Sequence, residues 1–169
     1  TVIRAFDEKP AGILYMPTQI SARLKQVLRE GCGHIPLVQL NRETGVAEVS
    51  FVGTRCHEAS RKATARLVEC GHRRIGLIMP KDSSAFLDQQ ERIAGFLAAL
   101  KQGGISHRNA YDIIFDPSDR RLASDVIELL SGEERPNAFF ETNSTYLPEL
   151  FRKVKFLSLI HISEPTRRS

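Results

Sequence analysis

The chain has 169 residues, of which 41% are hydrophobic and 26% are charged. This balance is typical of a globular domain and excludes a disordered or fibrous chain. No run approaches the roughly 18 consecutive apolar residues that a membrane-spanning helix needs, so a membrane partner is not expected. The net charge of +4 is mild, and the Lys and Arg residues form no dense basic arm, which disfavours direct nucleic-acid binding by this segment.

The three cysteines, Cys32, Cys56 and Cys70, contain no CxxC pair. An odd number of unpaired cysteines is typical of a reducing compartment, so a cytoplasmic location is expected. Each cysteine has a histidine nearby in the sequence. The helix predicted below nevertheless separates Cys56 from Cys70 by about 20 Å, which disfavours a shared zinc site. We therefore expect neither a metal nor another cofactor.

The first half of the chain alternates strand-length apolar runs with segments of helical period. This alternation predicts an α/β fold built from βαβ units, with parallel sheets flanked by helices. Ser21 is expected to cap a helix that Gly31 to Gly33 terminate. The other predicted elements are strands at 12–16, 37–40, 49–52 and 75–79 and a helix at 56–70.

After Pro80 the alternation continues with an acidic balance of charge. Asp82 or Ser83 is expected to cap a helix that ends at Gly103. The elements predicted after it are a strand at 111–115, a helix at 122–130, a strand at 138–140 and a helix at 146–154. The change of charge at Lys81 predicts two lobes, 1–80 and 81–156, joined by a short crossover.

The end of the chain is expected to be a non-native tail. Residues 157–169 resemble a translated sequencing adapter, and we exclude them from functional reasoning. The alternative is an ordinary apolar strand at 156–162.

Ligands of open parallel α/β sheets bind beyond the carboxyl ends of the strands. The residues at those positions are mostly polar or basic, with one aromatic, which suits a small polar molecule. They are Met16, Pro17, Asn41, Arg42, Thr54, Arg55, Pro80, Lys81, Phe115, Asp116 and residues 141–144. The chain has no GxSxG elbow and no glycine-rich phosphate loop, so we expect a binding domain that is not an enzyme.

Four motifs resemble those of the LacI/GalR family of transcriptional regulators. The segments CGHRRIGLI at 70–78 and QERIAGFLAAL at 90–100 resemble the family pattern LGHRRIGxI followed by RxxGFxxAL. IPLVQLNR at 35–42 and RPNAFF at 135–140 resemble the family strands IPVVxxDR and RPTAIF. The resemblance covers about residues 10–150.

This resemblance implies a two-lobed sensor domain of the periplasmic-binding-protein type. Such a domain binds a sugar, a sugar derivative or a nucleobase between its lobes and controls operator binding allosterically. Family members are usually homodimers that bind operator DNA through an N-terminal helix-turn-helix domain. The chain lacks that domain, the opening strand and helix of the first lobe and the final strands of both lobes, so an incomplete fragment is expected. The alternative is a periplasmic sugar-binding protein of an ABC transporter.

The resemblance also points to individual residues. Arg92 matches the family's effector-binding arginine, and Phe115 matches an aromatic residue that packs against the ligand in some members. Asn143 and Ser144 occupy the position of a frequent Asn-Asp pair. Two of these residues have an alternative role that involves no ligand. Arg92 could pair with a neighbouring acid, and Phe115 could belong to the hydrophobic core.

Two positions depart from the family pattern. Ser144 stands where Asp is common, and Arg55 stands where Asn or Asp is common. Both changes remove a carboxylate, and Arg55 adds a cation. We hypothesise an anionic ligand, such as a phosphosugar or a sugar acid, bound by Arg42, Arg55 and Arg92. The alternative is that Arg55 points outward.

Overall fold

The chain forms two separate parallel sheets flanked by helices. The computed structural model describes residues 2–17, 20–116 and 122–143, together with Pro148 and Arg152. The described helices and strands, in chain order, are α1 Val2–Asp7, β1 Ile13–Tyr15, α2 Ala22–Gly31, β2 Leu37–Leu40, β3 Ser50–Val52, α3 Cys56–Glu69, β4 Ile75–Pro80, α4 Leu87–Gln102, β5 Ile113–Phe115, α5 Leu122–Ser131 and β6 Ala138–Glu141. The strand orders are β1-β2-β3 and β5-β4-β6, and all pairs are parallel. The predicted α/β class is confirmed.

The first lobe, residues 2–52, packs α1 and α2 against the first sheet. Leu28 of α2 is fully buried against Leu37 of β2, and Phe6 of α1 packs against the same cluster. The Ser21 hydroxyl accepts a hydrogen bond of 3.1 Å from the Leu24 N–H, so the predicted cap of α2 is confirmed. Helix α1 was not expected from the sequence.

The second lobe, residues 56–143, has helices on both faces of its sheet. Phe96 of α4 is fully buried with Ile75 and Leu77 of β4, while Phe115 and Val126 pack on the other side with Ile78. Helices α3 and α4 cover the first of these faces and α5 covers the second. None of the buried clusters found among the described residues combines the two sheets, so each lobe has its own core.

The expected boundary between the lobes at Lys81 is wrong. Strand β4 ends at Pro80, yet it pairs with both β5 and β6 and is the central strand of the second sheet. The chain passes from the first sheet to the second between Val52 and Cys56. The charge balance misplaced the boundary because surface charge does not determine which strands exchange hydrogen bonds. Pro80 and Lys81 therefore lie at a strand end within the second lobe.

The start of α4 also differs from the prediction. Residues Lys81–Ala85 form a short 3-10 helix, and the Ser83 hydroxyl donates a hydrogen bond of 2.6 Å to the Pro80 carbonyl. Ser83 therefore closes this turn and does not cap α4. The cap position belongs to Phe86, whose side chain makes no capping hydrogen bond.

The strand predicted from Tyr111 begins two residues later. Tyr111 ends a short 3-10 turn, Asn109–Tyr111. The Asp112 carboxylate then accepts a hydrogen bond of 3.0 Å from the Leu77 N–H, a donor that a neighbouring strand would otherwise satisfy. Regular pairing starts at Ile113, opposite Ile78. The helix predicted at 146–154 lies outside the described residues, apart from Pro148 and Arg152.

Gln39 is a buried polar residue that organises the segment between β2 and β3. Its side chain is 1% exposed. Its Oε1 accepts hydrogen bonds from the Thr44 N–H at 2.9 Å and the Thr44 hydroxyl at 2.8 Å, and its Nε2 donates to the Val49 carbonyl at 3.4 Å. The Gln39 side chain therefore links the segment that follows Arg42 to the first sheet.

Replacing Gln39 with alanine is expected to lower the free energy of unfolding by about 2–3 kcal/mol, because it leaves buried donors and an acceptor unpaired. Urea unfolding followed by circular dichroism measures this change. The matched control is Gln26→Ala, since Gln26 is exposed and donates to Glu30 on the same helix at 2.9 Å. We expect the control to cost less than about 0.5 kcal/mol. Equal costs for the two variants would contradict the structural role of Gln39.

Candidate functional site

The candidate site lies where Arg42, which follows β2 of the first lobe, contacts the start of α4 in the second lobe. Asn41 follows β2 with a positive φ of 67°, and its N–H donates to the Val52 carbonyl at 2.8 Å. This turn directs Arg42 towards the second lobe. The Arg42 Nε lies 3.4 Å from Asp88 Oδ1, in the first turn of α4. An arginine that follows a strand of the first lobe therefore pairs with an acid at the start of a helix of the second lobe.

Arg92 occupies the junction between the amino-terminal ends of α3 and α4. It lies one helical turn after Asp88, and it interacts with the thiol of Cys56, the first residue of α3. Burial raises the pKa of the Cys56 thiol, while the charge and a hydrogen bond of Arg92 oppose this increase. The Nε of Arg92 is buried and has no hydrogen-bond acceptor among the described residues.

Other buried polar atoms lie near the same strand and helix ends. Gln89 is 6% exposed, and its Nε2 donates to Asp88 Oδ2 at 3.1 Å, whereas its Oε1 has no hydrogen-bond partner within the described part of the chain. Thr142 follows β6 directly. It is 1% exposed, and its hydroxyl likewise has no described partner. Asn143 is half-buried beside it. Buried polar atoms of this kind are suited to a ligand that supplies their hydrogen bonds.

The other sequence-predicted residues are placed differently. Arg55 is 90% exposed and pairs with Glu58 on its own helix at 3.6 Å, so it points outward. Phe115 is 5% exposed and belongs to the buried cluster beneath α5. Ser144 lies outside the described residues. Of the six predicted residues, the structure places Arg42 and Arg92 around Asp88, with Asn143 at the end of β6.

Sequence reasoning missed several residues of this site. Asp88, Phe86 and Gln89 were not predicted as site residues. Cys56 was considered only for a zinc site, and Thr142 only as one of the residues 141–144 that follow a predicted strand. A signal existed for Asp88, because it precedes Arg92 by four residues and thus lies on the same face of a helix. The ring of Phe86 offered no such signal, since its partner Arg42 is distant in sequence.

Two grooves lie away from this site, both on the second lobe. A groove of about 460 Å³ lies at the amino-terminal end of its sheet and is lined by Arg73, Arg74, Arg108, Glu133 and Glu134, among others. Its arginines are held by local partners, for example Arg108 by Glu134 at 2.7 Å. A groove of about 370 Å³ lies between β5 and α5. Neither groove is lined by the polar residues that follow the carboxyl ends of the strands.

Within the part of the chain that the structure describes, no helix is both long and apolar enough to cross a membrane.

Comparison with known proteins identifies the fold and its relatives. Residues 7–143 match the model of the family described as periplasmic binding proteins and sugar binding domain of the LacI family. The chain is 28% identical over 160 residues to the HTH-type transcriptional repressor PurR of Vibrio vulnificus, covering 93% of this chain and 46% of that protein. It therefore spans about half the length of this relative.

Solved structures of similar fold include two transcriptional regulators. The transcription regulator CcpA of Lactococcus lactis matches with a TM-score of 0.76 and 20% identity, over 93% of this chain and 56% of that chain. A LacI family transcriptional regulator from Enterococcus faecium, with bound ribose, matches with a TM-score of 0.74 and 20% identity, over 92% of this chain and 57% of that chain. These likenesses confirm the predicted periplasmic-binding-protein-like fold.

Proposed function

Because the chain belongs to the family of periplasmic binding proteins and LacI-family sugar-binding domains, we propose that it is the effector-sensing part of a bacterial transcriptional regulator. A small polar molecule binds between the two lobes at the candidate site. Binding changes the affinity of the parent protein for operator DNA. The named relatives, which include an HTH-type repressor, support a regulator over a solute-binding protein of a transporter.

The observation that carries this proposal is the environment of Arg92. Its guanidinium lies between α3 and α4, and its buried Nε lacks an acceptor among the described residues. A buried donor without a partner costs about 1–3 kcal/mol. A ligand oxygen or ring nitrogen at this position would remove that cost, and the fork of the guanidinium suits a hydroxyl pair or a carbonyl.

The charges around Arg92 favour an uncharged ligand. Arg42 is paired with Asp88, and Arg55 points outward and pairs with Glu58. The anionic ligand proposed from the sequence would need these arginines to converge on it. We infer instead a neutral sugar, sugar derivative or nucleobase, because Arg42 and Arg55 each already pair with an acid of the chain.

The remaining features of the proposal follow the family. The parent protein acts in the cytoplasm as a homodimer and binds operator DNA through a helix-turn-helix domain. Among the described residues, the site holds buried hydrogen-bonding groups and no catalytic set, so we propose binding without turnover. Allosteric control is then a population shift, and its size is limited by the difference in ligand affinity between the two states.

Thermal unfolding of the chain with a panel of ligands tests this function. The panel contains ribose, adenine, gluconate and glucose 6-phosphate, with glycerol as the control. We expect ribose or adenine at about 100 times its dissociation constant to add about 2.7 kcal/mol, which raises Tm by roughly 5–10 °C. Stabilisation by gluconate or glucose 6-phosphate alone would restore the anionic hypothesis, and no stabilisation by any compound would contradict effector binding.

A second measurement separates the regulator from the solute-binding protein. The fluorescence anisotropy of labelled operator DNA is titrated with the parent protein, in the presence and absence of the stabilising compound. A regulator binds this DNA with an affinity that the compound changes. A parent protein that binds the compound but no DNA would instead be a solute-binding protein of the same fold.

A further inference from the structure

Arg42, Phe86 and Asp88 connect the two lobes through side chains. Arg42 belongs to the first lobe, whereas Phe86 and Asp88 lie at the start of α4 in the second lobe. We propose that these three residues form an interlobe latch, which holds the lobes in a closed arrangement and can be released without unfolding either lobe.

The latch combines two contacts of one guanidinium. The Arg42 Nε lies 3.4 Å from Asp88 Oδ1, and the Arg42 guanidinium carbon lies 3.9 Å from the centre of the Phe86 ring. The side chains of Arg42 and Asp88 are only 23% and 13% exposed. An ion pair shielded to this degree is screened less by salt than a surface pair, and stacking on an aromatic ring adds to it.

Both ends of the latch are held by their own lobes. The turn at Asn41 is tied to β3 by the hydrogen bond to Val52, which sets the direction of Arg42. On the other side, the Gln89 amide donates to Asp88 Oδ2 at 3.1 Å and orients the carboxylate. The latch residues are therefore positioned before they meet, so little side-chain entropy is lost when the lobes close.

The lobes have no buried apolar cluster in common among the described residues, so polar contacts carry much of their association. Breaking the latch shifts the population towards separated lobes. Ligand affinity then falls in proportion to the closed fraction. This second consequence depends on the proposed function, whereas the separation of the lobes does not.

Two native cysteines allow a direct measurement of lobe separation. Cys32 follows α2 in the first lobe and Cys70 follows α3 in the second, and both are more accessible than Cys56, which is buried. Spin labels on Cys32 and Cys70, in the chain carrying Cys56→Ala, report the interlobe distance by double electron–electron resonance. We expect a single dominant distance in this chain.

Arg42→Ala and Asp88→Asn should each lower the ratio of short to long distances roughly tenfold, equivalent to about 1.4 kcal/mol. The double variant should show no further decrease beyond that of Arg42→Ala, because this change alone removes the contacts of Arg42 with both Asp88 and Phe86. Circular dichroism verifies that each variant is folded. Arg42→Lys keeps the charge but not the guanidinium fork, so its ratio of short to long distances should lie between those of Arg42→Ala and the unaltered chain.

The matched controls remove an ion pair within one lobe. Lys62 and Glu58 pair at 2.8 Å on α3, so Lys62→Ala and Glu58→Gln change charge without touching the latch. These variants should retain the distance distribution of the unaltered chain. The latch proposal is overturned if folded Arg42→Ala and Asp88→Asn chains give that same distribution. Unchanged distances would leave effector binding intact, and ligand-induced stabilisation tests that binding separately.

Discussion

Replacing Gly95 with valine is expected to lower the free energy of unfolding by more than about 4 kcal/mol. Gly95 lies where α4 crosses α3, and a Cβ at this position would stand 2.2 Å from the His57 carbonyl oxygen and 3.0 Å from the Arg61 nitrogen. Both are backbone atoms of α3, so no side-chain rotation relieves the overlap. Separating the two helices would expose Phe96 and Leu100, which are 0% and 1% exposed.

The cost of this substitution is large relative to the stability of a domain. Overpacking a core costs about 1–3 kcal/mol where side chains can move, and we expect more than about 4 kcal/mol where only backbone atoms are available to yield. Domains are stable by about 5–15 kcal/mol. Circular dichroism and urea unfolding measure the effect.

Gly95→Ala and Gly33→Ala isolate the cause. Alanine in mid-helix is favoured over glycine by about 1 kcal/mol, so a destabilised Gly95→Ala chain would show that the overlap exceeds the gain in helix propensity. Gly33 has open space where a Cβ would lie, and its substitution should cost less than about 0.5 kcal/mol. A stable Gly95→Val chain would mean that the helices do not cross as closely as the structure shows.

The secondary structure of this chain was predictable where the signal was local. Ser21 caps α2 because a serine hydroxyl satisfies an N–H three residues away, and β2 was predicted at the residues where it is found. Helix α1 was missed, since its six residues show less than two turns of periodicity. The cap at Ser83 was misassigned because the same hydroxyl also closes a turn with the Pro80 carbonyl.

The arrangement of the lobes and the site depended on contacts between distant residues. Strand β4 belongs to the second sheet because of pairing with residues 113–115 and 138–141, which no local pattern contains. The partners of Arg42 lie more than forty positions along the chain. Local spacing could place polar residues at strand ends, but it could not show that Arg42 meets Asp88 while Arg55 turns outward.

Arg92→Ala should weaken binding of the panel compound that most stabilises the chain by roughly 30- to 150-fold, as expected for a lost charge-assisted hydrogen bond of about 2–3 kcal/mol. Isothermal titration calorimetry measures the dissociation constant. Arg92→Lys should recover part of the affinity, because it restores the charge but not the guanidinium fork. Arg66→Ala is the control, since Arg66 is exposed and pairs with Glu69 on α3 at 3.2 Å.

The stability of the Arg92→Ala chain distinguishes a binding residue from a structural one. The Arg92 Nε is a buried donor that lacks an acceptor among the described residues, so its removal eliminates a desolvation cost as well as the contact with Cys56. We therefore expect the free energy of unfolding to change by less than about 1 kcal/mol while ligand affinity falls. A residue retained for ligand binding at the expense of stability shows this combination. A large loss of stability with unchanged affinity would instead assign Arg92 to the packing of α3 against α4.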